Sequence, residues 1–285
     1  SIVASYSDIE RVDRVADLRN AVFREALAAC GVDRGIQIHS VSRLPLAACG
    51  LGGSGAAAVG IVNAIHLMRS TNLGPSTLAR IACDVELRAL GRKVGKQDQY
   101  AAAYGGFNLM TFDGDAVIVE PQDFDILRDT LGGRCLLLPC LATAGVDADP
   151  RNASAILSGQ LAGDVAPTAA RLAGLVNDAV RAFHAHDPEM VARVVDDGWD
   201  AKRSLSPVTT TSAVDAMVAE VRRAGGGAKL CGAGGGGYVF AVFPDAVQAD
   251  EFSAAHPGSI RVLWERYGSA AVYDDWERIS EPAKA

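Results

Sequence analysis

Gly50-Leu51-Gly52-Gly53-Ser54-Gly55 runs without a break into the apolar stretch from Ala56 to Met68. A glycine loop that opens a helix leaves bare N–H groups converging where the helix dipole favours negative charge. The stretch therefore predicts a phosphate cradle. A second glycine segment, Gly232-Ala233-Gly234-Gly235-Gly236-Gly237, precedes the strand-like run Tyr238 to Phe243. Between the two lies a polar segment flanked by apolar sequence, Gly95-Lys96-Gln97-Asp98-Gln99.

An acidic residue in a segment of its own supplies what transfer of a phosphoryl group to a hydroxyl needs beyond the cradle, a proton acceptor. Two other readings of the glycines are weaker. Gly50, Gly52 and Gly55 spell G-x-G-x-x-G, but a dinucleotide-binding unit wants a strand ending at the first glycine and an acidic residue about twenty positions on. Pro45 interrupts that approach, and Ser70-Thr71-Asn72 offers no carboxylate. The second segment is followed by a strand where that unit needs a helix. No Gly-Lys-Ser/Thr follows either loop, which excludes a Walker A loop. Close backbone packing without a ligand could account for one glycine cluster. It does not account for two together with the Asp98 motif.

The bulk composition bounds the class. With 285 residues, 49% hydrophobic and 21% charged, the chain has the make-up of a globular protein with a sizeable core. A net charge of −7 argues against nucleic acid as a partner. It leaves room for a phosphorylated small molecule, which a few local Lys or Arg can hold. Cys30, Cys49, Cys83, Cys135, Cys140 and Cys231 show no C-x-x-C spacing, and most lie in apolar runs. They read as buried, reduced thiols, and the histidines do not join them at zinc-ligand spacing. No run of 18 apolar residues and no signal peptide is present, so a cytoplasmic protein without a membrane span is expected.

Periodicity predicts a helix from Asp13 to Cys30 and a strand from Gly35 to Val41. Past the first loop it predicts a helix to about Met68, then one from Pro75 to Leu90 capped by Ser76. Phe107–Phe112 and Ala116–Glu120 read as a hairpin about Asp113-Gly114. Arg134–Leu141 reads as a strand. Helices are expected near Asn152–Leu161, Thr168–His186, Pro188–Leu205, Thr211–Ala224 and Asp245–Ala255. Ile260–Trp264 and Ala270–Tyr273 look like closing strands. The irregular order of strands and helices is that of an α+β protein.

Three stretches in order carry a resemblance. They are Gly50-Leu-Gly-Gly-Ser-Gly-Ala, then Glu86 followed by Gly95-Lys-Gln-Asp98-Gln-Tyr-Ala-Ala-Ala-Tyr-Gly-Gly-Phe-Asn108, then Lys229-Leu-Cys-Gly-Ala-Gly-Gly-Gly-Gly237. This order resembles the GHMP small-molecule kinases. The middle stretch, with Gly198-Trp-Asp-Ala-Lys-Arg-Ser-Leu205, looks most like the branch holding D-glycero-D-manno-heptose 7-phosphate kinase and fucokinase-type sugar kinases. The resemblance implies a two-domain fold, a ribosomal S5 domain 2-like ATP-binding part followed by a ferredoxin-like part, and a composition shift near residue 133 sets the expected bounds at 1–133 and 134–285. It also implies an N-terminal strand carrying Arg-x-Pro and a Gly-Gly-Gly-Thr-Asp-like loop. Nothing from Ser1 onward corresponds, so the first domain is expected to be incomplete at its start.

Residue by residue, the resemblance implies that Gly50, Leu51, Gly52, Gly53, Ser54 and Gly55 wrap the phosphates of ATP. Ser54 and Glu86 would hold Mg²⁺, and Asp98 would orient or deprotonate the acceptor hydroxyl. Lys96, Gln99, Gly234, Gly235 and Gly236 would face the substrate. Lys202 and Arg203 are further candidates for a sugar phosphate, and Trp199 reads as a core anchor. Gly53 departs from the implied pattern, which has serine there, and Cys49 makes the approach from Pro45 one residue longer. The implied reaction is ATP-dependent phosphorylation of a sugar or sugar phosphate, best the anomeric hydroxyl of D-glycero-D-manno-heptose 7-phosphate. Another sugar or cyclitol kinase of this fold, or a non-catalytic nucleotide- or sugar-binding regulator, are the alternatives. No nucleic acid or membrane partner is implied, and a homodimer is left open.

Overall fold

A computed structural model describes residues 1–41, 50–140 and 150–269. The expectations for Pro45, Cys49 and a strand over Ala270–Tyr273 lie outside the described residues. Among the described residues the chain forms two compact units. One holds residues 1–41, 52–122 and 265–269; the other holds 50–51, 123–140 and 150–264. The division thus falls after Gln122, where the composition shift places one after residue 133.

In the first unit, β1 (Ile2–Ser5) lies between antiparallel β2 (Ile9–Val12) and parallel β3 (Ile36–His39). The long helix expected from Asp13 is shorter: α1 spans Ala21–Ala29, after a 3₁₀ turn at Val15–Asp17. The cause is Glu10. Its buried carboxylate accepts the N–H groups of Arg19 (2.7 Å) and Asn20 (3.0 Å), and the Asn20 side chain then caps the helix at Phe23. Backbone donors drawn to a carboxylate cannot also continue a helical ladder.

The first glycine loop leads into α2 (Gly53–Met68), whose Val59, Ile61, Val62 and Ile65 enter the core beside Leu18, Leu27 and Leu78. Each such side chain contributes roughly 1.5–3 kcal/mol on burial. Next comes α3 (Pro75–Cys83), capped by Gly74 with Pro75 in its first turn, so Ser76 is inside the helix and not its cap. Pro75 is well placed there because its missing N–H would have had no helical partner. The helix then widens into a π-helical turn, Asp84–Ala89. α4 (Gln97–Tyr104) carries the acidic motif, and β4 (Phe107–Asp113) and β5 (Ala116–Gln122) form the expected hairpin. Residues 265–269 return to this unit. Gly106 donates to the Glu265 carbonyl (3.2 Å), Ser269 to the Ala102 carbonyl (2.9 Å), and the Asn63 amide reaches the Ser269 carbonyl (2.6 Å).

The second unit is built on an antiparallel sheet. β6 (Cys135–Cys140), β7 (Gly227–Leu230), β8 (Gly237–Val242) and β9 (Ile260–Arg261) run in the order β7-β8-β6-β9. Its helices are α5 (Phe124–Leu131), α6 (Pro150–Gln160), α7 (Ala166–His184), α8 (Pro188–Arg203), α9 (Ser212–Arg223) and α10 (Ala246–Ala255). Asp123, Asp187, Thr211 and Asp245 cap α5, α8, α9 and α10 with side-chain oxygens. Trp199 is fully buried among Leu136, Leu138, Val218 and Leu230, a core anchor as expected. Cys30, Cys83, Cys135 and Cys140 are buried free thiols. Burial pushes the Cys83 thiol up to about 11 and that of Cys135 to about 12.

Candidate functional site

In the first unit the site is assembled at the N-terminus of α2. Its N-cap is Gly52, held in the left-handed region at φ 71°, with no side chain to satisfy the first-turn N–H groups. Those donors have no helical partner and carry the positive end of the dipole, the condition for binding an anion. Gly53 is the first residue of the helix proper. Asp98 stands directly over this end, in the first turn of α4. A Cβ on Gly52 would lie 3.0 Å from its Cγ, and one on Gly55 3.1 Å from its Cβ. The two glycines thus leave the space that the carboxylate uses.

The Asp98 carboxyl is raised above the ordinary carboxylate range. Asp98 keeps an exposed surface, and protein packed about its carboxyl group is the main cause; the Glu86 charge adds to it, while a hydrogen bond from Gln97 opposes it. A carboxylate made more basic in this way is better suited to accept a proton near neutral pH.

Glu86 lies on the π-helical turn, buried, with three partners. The Ser54 hydroxyl donates to Oε1, and so does Arg92 Nη1 at 2.9 Å. The Gln99 amide donates to Oε2 at 2.5 Å. Arg92 Nη1 also donates to Ser54 Oγ at 2.7 Å. Arg92 reaches this point because Gly91, at φ 61°, reverses the chain after the π turn. The Arg92 N–H then closes on the Glu86 carbonyl at 3.0 Å. The sequence reading does not single out Arg92. The signals were present: the Leu-Gly helix stop before it, and an arginine six positions after a glutamate.

The residues expected at the site therefore separate. Gly52, Gly53, Ser54, Gly55, Glu86, Asp98 and Gln99 come together in the first unit. Gln99, expected to face a substrate, is instead buried with its amide on Glu86. Lys96 turns toward the β4–β5 turn, donating to the Gly114 carbonyl at 2.8 Å and pairing with Asp115 at 3.6 Å.

Gly50 and Leu51 belong to the second unit, as do Gly234, Gly235 and Gly236. There the second glycine segment is held from behind. Buried Gln160 donates to the Ala233 carbonyl and to Thr209 Oγ1, both at 2.9 Å, and the Gly235 N–H donates to the Thr209 carbonyl at 3.1 Å. Lys202 donates to the Gly232 carbonyl. Burial, helped by the neighbouring charge of Lys229, lowers the Lys202 ammonium to about 8. Arg203 is paired with Asp200 and Asp215, as an exposed helix residue would be.

Whether Ser54 and Glu86 suit Mg²⁺ follows from their chemistry. Mg²⁺ wants oxygen ligands at about 2.0–2.1 Å in octahedral geometry. Here the carboxylate charge is matched by Arg92, and the serine hydroxyl is engaged with both partners. Among the described residues no group of three or more His, Cys, Asp or Glu is placed to hold a metal ion. As they stand, these residues do not fit a protein-held Mg²⁺. Among the described residues no helix is long and apolar enough to cross a membrane.

Comparison with known proteins converges on one family. The GHMP kinases N terminal domain model matches residues 14–106, and the GHMP kinases C terminal model matches residues 179–258. A D-glycero-alpha-D-manno-heptose 7-phosphate kinase of Campylobacter jejuni is 26% identical over 208 residues, covering 71% of this chain. The match spans 60% of the length of that curated relative. A D-glycero-D-manno-heptose 1-phosphate kinase from Bacteriodes thetaiotaomicron superposes with a TM-score of 0.67 at 22% identity, over 94% of this chain and 81% of that one. The Methanococcus jannaschii mevalonate kinase does so with a TM-score of 0.69 at 15% identity, over 89% and 80%. At such identities the likeness is one of fold.

Proposed function

The chain belongs to the GHMP kinase family, and we propose that it transfers the γ-phosphoryl group of ATP to a hydroxyl of a sugar or sugar phosphate. One observation carries the reading: the Asp98 carboxyl, with its raised pKa, stands over the open N-terminus of α2 at Gly52. A phosphate held by the first-turn N–H groups of Gly53, Ser54 and Gly55 would lie next to a proton acceptor. Asp98 takes the proton from the acceptor hydroxyl as that oxygen attacks the γ-phosphorus in line, the bond from that phosphorus to the β–γ bridging oxygen breaks and ADP leaves, and the helix N-terminus stabilises the charge spreading over the phosphoryl oxygens. No step is assigned to a metal held by the protein.

A heptose 7-phosphate, phosphorylated at its anomeric hydroxyl, is the acceptor we favour, on the 26% identity to the Campylobacter enzyme. The test is ATP consumption by the full-length protein against a panel of sugars, heptose phosphates and cyclitols. Turnover with a heptose 7-phosphate and release of a 1,7-bisphosphate supports the reading. ATP binding without turnover on any member sinks it in favour of a nucleotide-binding regulator. Turnover on another sugar or cyclitol keeps the kinase and replaces the substrate.

A further inference from the structure

The oxygens expected to grip Mg²⁺ from the protein side are already bridged by one nitrogen. Arg92 Nη1 lies 2.7 Å from Ser54 Oγ and 2.9 Å from Glu86 Oε1. A metal ligated by both atoms would sit about 2.0–2.1 Å from each, in the space this nitrogen fills. Such a metal would also lie against a guanidinium that never gives up its charge.

Three features hold the arginine in place. Glu86 is buried, so its carboxylate needs a partner of opposite charge. The Arg92 side chain is itself mostly enclosed, 16% exposed. The Arg92 backbone is tied to the carbonyl of the same glutamate, through the reversal at Gly91. Gln99 completes the cluster on the other carboxylate oxygen.

We propose that Arg92 is the built-in cation of this carboxylate. The guanidinium stands where a protein-bound divalent ion would otherwise be needed, so Glu86 and Ser54 form a closed ion-pair cluster and not a metal site. Any Mg²⁺ used in turnover is then carried by the phosphates of the nucleotide. The inference rests on the kinase reading only in taking Glu86 and Ser54 as the positions at issue.

The test needs neither ATP nor an acceptor, so its failure is separable from failure of that reading. Mn²⁺ is titrated into nucleotide-free protein and the free ion is followed by electron paramagnetic resonance. Wild type and Glu86→Gln are expected to give the same weak, non-stoichiometric binding. Arg92→Gln, which leaves the carboxylate without its cation, is expected to gain one site at least tenfold tighter. That site should vanish in the Arg92→Gln/Glu86→Gln double variant and be absent in Arg92→Lys. Thermal melting gives a second readout: Mn²⁺ should raise the Tm of Arg92→Gln and leave that of wild type unchanged, because a ligand stabilises only the state that binds it. A stoichiometric Mn²⁺ site in wild type that Glu86→Gln removes overturns the proposal. So does a folded Arg92→Gln that gains no site. Should Arg92→Gln not fold, the wild-type and Glu86→Gln titrations decide alone.

Discussion

Gly50 and Gly232, far apart in sequence, meet backbone to backbone. A Cβ on Gly232 would lie 2.6 Å from the Cα of Gly50, and one on Gly50 would lie 2.5 Å from the Cys231 carbonyl oxygen. Both residues also have positive φ, 71° and 74°. The glycines at these positions are thus needed for packing as much as for any ligand. Gly232→Ala is expected to cost roughly 2–4 kcal/mol, combining left-handed strain with a clash that backbone atoms cannot relieve. Urea unfolding of the variant checks it. A midpoint within error of wild type would show that the two segments are free to separate.

Gly52 is constrained for a different reason. Its φ of 71° costs an alanine about 1–2 kcal/mol, and its missing Cβ leaves the room taken by the Asp98 carboxyl. Gly52→Ala should remain folded, weaken ATP binding and lower turnover together, since it crowds cradle and base at once. Calorimetric ATP titration and kcat on the same preparation separate the effects. An unchanged dissociation constant would count against the cradle.

Asp98 carries two opposite expectations. Asp98→Asn should lower kcat by roughly 10²–10⁴-fold while ATP still binds. Stability should move the other way. A carboxyl whose folded pKa lies above its unfolded value gives stability below the unfolded pKa, and that stability is lost as pH rises through the folded one. At neutral pH the ionised Asp98 is therefore a cost, and the asparagine variant should melt at or above the wild-type temperature. The same shift places the acid limb of the wild-type pH–rate profile above the ordinary aspartate range. A variant with full turnover on the true acceptor would remove Asp98 from the mechanism.

How much of this was legible beforehand differs by residue. Asp98, Ser54, Gly52 and Glu86 come together as the order of motifs implies, because a loop opening a helix and a polar motif between apolar runs are local signals. The contact between Gly50 and Gly232 is not local, and no periodicity records it. Nor does periodicity record that Glu10 draws off two backbone N–H groups and cuts short the helix expected from Asp13. α5, of eight residues, and β7, of four, are too short for periodicity to show, and only the Asp123 cap signals the first of them. Lys96 and Gln99 show the limit of reading a motif by proximity. Neighbours of Asp98 in the chain, they point to the hairpin turn and to Glu86. Arg92 lay between two motifs and belonged to neither.

Lys202 gives a pH-dependent expectation. Its ammonium falls from an ordinary value of 10.5 to about 8 in the folded protein. Between those values the unfolded chain holds a proton that the folded one has lost, so this residue makes stability rise with pH across the window. Lys202→Met should flatten that part of the curve and be at least as stable as wild type at pH 7, where the buried charge is a cost. Releasing the Gly232 carbonyl should also raise the acceptor KM more than it lowers kcat, if the glycine segment shapes the substrate side. Melting curves for both proteins from pH 7 to 11 are the check. Parallel curves would mean that the ammonium is solvated.

The last expectation compares Gly53→Ser with Glu86→Gln. Gly53 is the first residue of α2 and lies within helical backbone, so serine fits there without left-handed strain. The added hydroxyl supplies one more donor beside the cradle and raises helix propensity by a few tenths of a kcal/mol. A modest gain in ATP affinity, less than tenfold, should follow, with stability unchanged or slightly higher. Glu86→Gln acts elsewhere. It leaves the enclosed Arg92 guanidinium facing a neutral amide, and breaking a buried pair in this way costs about 3–5 kcal/mol. Its first effect should thus be a lower melting temperature, with the Mg²⁺ concentration for half-maximal turnover little changed in the fraction that stays folded. Activity against Mg²⁺ for the three proteins, set beside their melting curves, decides between a structural and a metal-binding glutamate. A Glu86→Gln protein as stable as wild type that needs far more Mg²⁺ would return the carboxylate to the metal and displace Arg92 from its role.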